Sequence, residues 1–160
     1  MADTQHAQLE ASIEIDAPPA QVWALVTDLA AMSARSPQVV RTTVKGGAVL
    51  QGAKFSNLNR KGLLFWPTKG KVVRFTPHED FAFRIAENKT IWSFQLAPSA
   101  TGGTTLTHRR ETPDGISGVS LNLTKYVLGG VEKFTQELRT GMTTTLAAVK
   151  TEAEAARAAA

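Results

Sequence analysis

One long amphipathic stretch near the C-terminus limits the possible folds of this chain more than any other feature. Leu128, Val131, Phe134, Leu138, Met142, Leu146 and Val149 recur at three- and four-residue spacing, with Lys125, Glu132, Lys133, Glu137, Arg139 and Lys150 between them. A helix from Leu123 to Lys150 would be ~42 Å long at 1.5 Å per residue, about the diameter of a whole small domain. Its apolar stripe has to be buried against a surface of similar length. With 160 residues the chain suits one domain, so that surface must come from the residues ahead of the helix.

Those residues read mainly as strands. Ile13 and Ile15 alternate with Ser12, Glu14 and Asp16, a first strand over Ala11–Asp16. Pro18-Pro19 ends it and suits the first turn of a helix. Val22, Leu25, Val26 and Leu29 then share one helical face, and Asp28 is placed to cap a second short helix that runs to Arg35. Ser36-Pro37 stops it. Six more strands are expected at Gln38–Lys45, Lys54–Arg60, Trp66–Thr76, Phe81–Ala86, Thr90–Ala97 and Thr104–Glu111, separated by short turn sequences such as Gly46-Gly47, Lys61-Gly62 and Pro77-His78-Glu79-Asp80. Connections this short pair neighbouring strands as antiparallel hairpins. Strands segregated from helices indicate an α+β domain: a seven-stranded antiparallel sheet, two short helices after the first strand, and one long C-terminal helix. The domain is expected over 11–154, with a polar N-terminal tail at 1–10 and an Ala-rich tail at 155–160 whose few apolar anchors predict fraying.

Composition removes several classes of function. There is no cysteine, hence no disulfide framework, thiolate nucleophile or cysteine-ligated zinc. The three histidines, His6, His78 and His108, fall in a tail, a turn and a strand, so no metal-ligand spacing links them. Gly129-Gly130 lacks the lysine and strand context of a phosphate loop, and no cofactor is expected. The net charge of +4 comes from basic residues that alternate with apolar ones, as on the solvent face of a half-buried sheet, so nucleic acid is not an expected partner. No run of apolar residues is long enough for a membrane span, and the N-terminus lacks a signal peptide's apolar core, so a cytoplasmic location is expected.

The segment from Ala11 to Leu29, with its Ala17-Pro18-Pro19 corner and the Val22-Trp23 pair, resembles the opening strand and helix of the polyketide cyclase/dehydrase and lipid-transport family. Gly52–Arg60, Thr90–Pro98, Gly103–Thr107 and the late Gly141-Met142 with Leu146 are similar to later parts of the same family, so the resemblance covers about Ala11 to Glu154. Arg35 departs from it: members often carry a tryptophan there, near the cavity. The resemblance implies a helix-grip fold, START-like in its superfamily, whose curved sheet and long helix enclose a cavity for a hydrophobic ligand.

Strand alternation then says which side chains look into such a cavity. Phe55 shares a face with Asn57 and Asn59; Leu106 with His108 and Arg110; Trp92 with Phe94 and Leu96; and Phe81 with Phe83 and Ile85. Leu128, Val131 and Leu138 add the helix side. The facing of Trp66–Thr76 is left open, because Pro67 and Gly70 interrupt its period. The expected ligand site is therefore Phe55, Asn57, Asn59, Phe83, Trp92, Phe94, His108, Arg110, Leu128, Val131 and Leu138, an apolar wall holding a few polar groups. Each has an ordinary reading too: the aromatics as core, the asparagines as partners of nearby backbone, His108 as a hydrogen-bonded core residue, and Arg110 as a strand-end residue reaching solvent.

Three functions fit this pattern. The first is binding or transport of a lipid, polyketide or isoprenoid-like molecule. The second is an aromatase/cyclase or dehydratase with His108 as general acid or base. The third is a partner-binding regulatory module, as a monomer or homodimer, that acts through the apolar loop at Gly62–Phe65, with Leu63, Leu64 and Phe65, or through the long helix.

Overall fold

The computed structural model describes residues 8–113 and 131–159. Seven strands form one antiparallel sheet: β1 (Leu9–Ile15), β2 (Val39–Val44), β3 (Lys54–Lys61), β4 (Leu64–Thr76), β5 (Asp80–Ile85), β6 (Ile91–Pro98) and β7 (Thr104–Glu111). Their order is β1-β7-β6-β5-β4-β3-β2, so the first and second strands form opposite edges. Between them in sequence lie α1 (Pro19–Val26), α2 (Leu29–Met32) and a 3-10 turn over Ser33–Arg35. The long helix α3 runs over Val131–Ala159.

The local signals act as their chemistry requires. Pro19 opens α1 at the position where a missing N–H costs nothing. The Asp28 side chain accepts a hydrogen bond from Ala31 N at 3.1 Å, capping α2. The chain reverses from β3 to β4 through Gly62-Leu63, with Gly62 at φ 60°, a conformation that glycine adopts without steric cost.

The first strand and the long helix both extend beyond the sequence expectation. β1 begins at Leu9, whose side chain is fully buried, so the polar tail is shorter than residues 1–10. The helix does not end near Lys150 and fray. Ala153 is completely buried, Glu154 Oε1 accepts from Asp16 N at 2.9 Å, and Arg157 pairs with Asp16. An alanine lets the helix approach closely here, and β1 offers it an exposed turn to bind; neither shows in hydrophobic periodicity. The expected start of the helix at Leu123, with Leu128 and Gly129-Gly130, lies outside the described residues.

The core occupies one end of the concave face. Met142, Leu146, Val149 and Ala153 are the buried stripe of α3, at spacings of three and four residues. Leu146, Val149 and Ala153, with Val22, Trp23 and Val26 of α1, form one core with Ile15, Phe81, Leu96 and Leu106. Trp23 meets Phe75 and Phe81 edge-on, at 5.3 and 6.1 Å between ring centroids.

Candidate ligand cavity

Away from that packed end, the sheet and α3 bound a cavity of about 920 Å³. Cross-strand register explains its wall. Val72 pairs with Phe83, Phe83 with Trp92, Trp92 with Arg110, and Arg110 with Leu9, one row running across the concave face. The next row is Phe75, Phe81, Phe94, His108 and Ala11. Residues directly opposite on neighbouring strands lie within contact distance. Phe94 and His108 accordingly stack, with centroids 4.1 Å apart and planes 4° from parallel, and Arg110 Cζ lies 5.9 Å from the Trp92 ring centroid.

The facing of β4 is decided by a bulge. Trp66, Thr68, Gly70 and Val72 share the concave face, and the register then shifts between Val72 and Arg74, so Phe75 also points inward. Pro67 and Gly70, the two interruptions visible in the sequence, do not reverse the strand. Gly70 serves a different purpose: Phe55 lies opposite it and fills the space above it.

Of the expected site residues, Phe55, Asn57, Asn59, Phe83, Trp92, Phe94, His108, Arg110 and Leu138 all line the cavity. Leu128 is outside the described residues, as is the side chain of Val131. Phe81 and Leu106 belong to the packed core. Arg35 does not line the cavity. Its guanidinium turns to α3 and the end of α1, donating to Glu152 Oε2 at 2.6 Å and Leu25 O at 3.2 Å, while Ser36 and Pro37 beside it form part of the wall. Trp66, Thr68, Thr42, Met32, Met142 and Thr145 line the cavity too. Thr68 and Trp66 follow from the register of β4 against β3. The contributions of α2 and β2 follow only from how those elements are placed.

The polar groups differ in how free they are. Asn57 Oδ1 accepts from Thr42 Oγ1 at 2.7 Å, and Asn59 Nδ2 donates to Thr68 Oγ1 at 3.0 Å and Trp66 O at 3.2 Å. Both asparagines tie neighbouring strands together. His108 Nδ1 lies 2.9 Å from Ser93 O, so the neutral ring carries its proton there and presents Nε2 as an acceptor. Burial lowers the His108 pKa to about 4, against a smaller opposing effect of the Ser93 bond, and the ring is neutral at pH 7. Arg110 is 7% exposed, and burial pushes its pKa down to about 10, which leaves it cationic at neutral pH. Among the described residues no group of three His, Cys, Asp or Glu side chains converges on a metal position. No described helix is long and apolar enough to cross a membrane.

This combination of topology and opening sequence agrees with the model of one family, polyketide cyclase/dehydrase and lipid transport, which matches residues 6–154. The chain belongs to that family. No curated protein sequence matches it significantly. Among solved structures, this family member is similar to the Polyketide_cyc-like protein Cgl2372 from Corynebacterium glutamicum, at 27% identity and a TM-score of 0.64 over 94% of this chain and 91% of that one. The di-domain ARO/CYC StfQ from the steffimycin biosynthetic pathway aligns at 15% identity and a TM-score of 0.74, over 96% of this chain and 52% of its own. This family member thus spans about half the length of StfQ. Protein NE0264 from Nitrosomonas europaea aligns at 15% identity and a TM-score of 0.68, over 98% of this chain and 99% of that one. At 15% identity the likeness to StfQ and NE0264 is one of fold.

Proposed function

We propose that this protein binds or carries a hydrophobic or amphipathic small molecule in the cavity between its sheet and α3, as a cytoplasmic carrier. The observation that supports this best is the wall itself: Phe55, Phe83, Trp92 and Phe94 line about 920 Å³, and the two asparagines beside them are already hydrogen-bonded within the protein. A mostly apolar cavity with a few placed polar groups is the common form of a small-molecule site. The test is a thermal-shift panel of lipids, polycyclic aromatics and isoprenoids, followed by native mass spectrometry of the hits. A raised melting temperature with a one-to-one mass adduct supports the reading. No stabilisation by any hydrophobic compound in the panel removes it.

A cyclase or dehydratase is the second reading, favoured by one observation: His108 lines the cavity with its Nδ1 bonded to Ser93 O, which leaves Nε2 as the ring nitrogen available to a ligand. A base with a pKa near 4 is weak at pH 7, and among the described residues no carboxylate orients the ring, so this reading ranks below simple binding. Unchanged turnover of an accepted polyketide by His108→Ala would exclude it.

A further inference from the structure

The binding reading leaves one group in the cavity wall without a role, the Arg110 guanidinium. It sits in a row of apolar neighbours, with Trp92 on one side and Leu9 on the other. The acids nearest to it in register or sequence, Glu10 and Glu111, lie on the opposite face of the sheet and are engaged there by Arg109 and Arg74. Among the described residues the only partner of Arg110 is the face of the Trp92 ring. Among the described residues its nitrogens find no hydrogen-bond partner, yet they are not among the sealed, unsatisfied polar atoms of the interior, and the residue lines the cavity. A cation taken out of water without a counter-charge is costly, and the protein recovers that cost only when an anion arrives.

We infer that the ligand of this cavity is an amphipathic carboxylate, its apolar body against Phe55, Phe83 and Phe94 and its carboxylate on the Arg110 guanidinium. The inference rests on the binding reading above and adds the chemistry of the ligand's polar end. A guanidinium presents paired N–H donors that match the two oxygens of a carboxylate. The charge balance favours a monoanion. The other described cations along the cavity are more exposed: Lys61 pairs with Glu137, Arg60 Nε donates to Gly62 O, and Lys133 stands in solvent at the surface of α3. A phosphate dianion at Arg110 would keep uncompensated charge in an apolar wall. His108, one residue inward on the same strand face, adds a neutral acceptor suited to a ligand hydroxyl. Burial keeps that ring uncharged, so among the described residues Arg110 is the one buried cation of the wall.

The test uses three probes of one shape, naphthalene-2-carboxylate, naphthalene-2-methanol and naphthalene-2-carboxamide, titrated calorimetrically into the wild-type protein and into Arg110→Gln at pH 7. The carboxylate is expected to bind wild type at least tenfold more tightly than either neutral probe. Arg110→Gln is expected to lose that preference while still binding the alcohol. If the alcohol binds wild type as tightly as the carboxylate, the carboxylate assignment fails and the cavity reading stands. If the preference survives in Arg110→Gln, the anion sits elsewhere and the assignment fails. If no probe binds wild type, the carboxylate assignment fails, and the binding reading is decided by the thermal-shift panel. The wild-type comparison holds even where the glutamine variant folds poorly, and Arg110→Lys, which keeps the charge without the fork, is expected to retain part of the preference.

Discussion

Phe55 occupies the space that any side chain at Gly70 would need: a Cβ built on Gly70 would stand 2.2 Å from Phe55 Cζ. The two are cross-strand partners on β3 and β4, and the Phe55 ring also meets Phe83 edge-on at 5.2 Å. The backbone of Gly70 is not at positive φ, so glycine is required here for room and not for conformation.

Gly70→Ala is therefore expected to destabilise the fold by about 1–3 kcal/mol, the usual cost of overpacking, and to push the Phe55 ring into the cavity. Phe55→Leu combined with Gly70→Ala should be less damaging than the sum of the single changes. Chemical denaturation of the four proteins of this double-mutant cycle measures the coupling. An additive result would mean that the ring and the glycine do not compete for one space.

His108 makes stability depend on pH. Its folded pKa, about 4, lies below the usual 6.5, so the unfolded chain takes up the proton first. The contribution is fully present above about pH 6.5 and is lost as the pH falls toward about 4, up to ~3 kcal/mol. Carboxylates titrate in the same window, so the readout is a difference. His108→Phe, which keeps a ring against Phe94, should lose less stability than wild type between pH 7 and 4.5. Parallel curves for the two proteins would contradict the buried neutral state.

Arg35 and Glu152 form an unequal pair, the arginine side chain 8% exposed and the glutamate 49%. Arg35→Ala loses the bonds to both Glu152 and Leu25 O, with an expected cost of about 1–2 kcal/mol. Glu152→Ala should cost less than about 1 kcal/mol and matter less still in high salt. Neither residue lines the cavity, so affinity for a cavity ligand should be the same in both variants. Thermal unfolding and a binding titration check the two halves of this prediction.

Truncation after Lys150 removes Ala153, Glu154 and Arg157, and with them the tie between α3 and Asp16. A loss of about 2–4 kcal/mol is expected from the lost burial and hydrogen bonds. In a domain of this size that corresponds to a fall in Tm of roughly 5–15 °C. A truncated protein with unchanged Tm would show that the last two turns add nothing to the fold.

Local chemistry alone determined a great deal about this protein. Alternation in Phe81, Phe83 and Ile85, in Trp92 and Phe94, and in Leu106, His108 and Arg110 identifies the concave face, because a strand's period of two leaves no choice once one side is apolar. The stripe Met142, Leu146 and Val149 identifies the face of the long helix in the same way. Only the tertiary structure could decide what depends on partners distant in sequence. It separates Phe81 and Leu106, in the packed core, from Phe83 and Arg110, in the cavity wall, according to where α1 and α3 cover the sheet. It turns Arg35 toward Glu152 and leaves Arg110 facing Trp92, with no acid beside it among the described residues. It extends α3 past Lys150, because Asp16 and the close approach to β1, and not an apolar stripe, hold its last turns. Periodicity records which side of an element is buried; it carries no information about what stands opposite, and at Arg35 and Arg110 that neighbour sets the role of the charge.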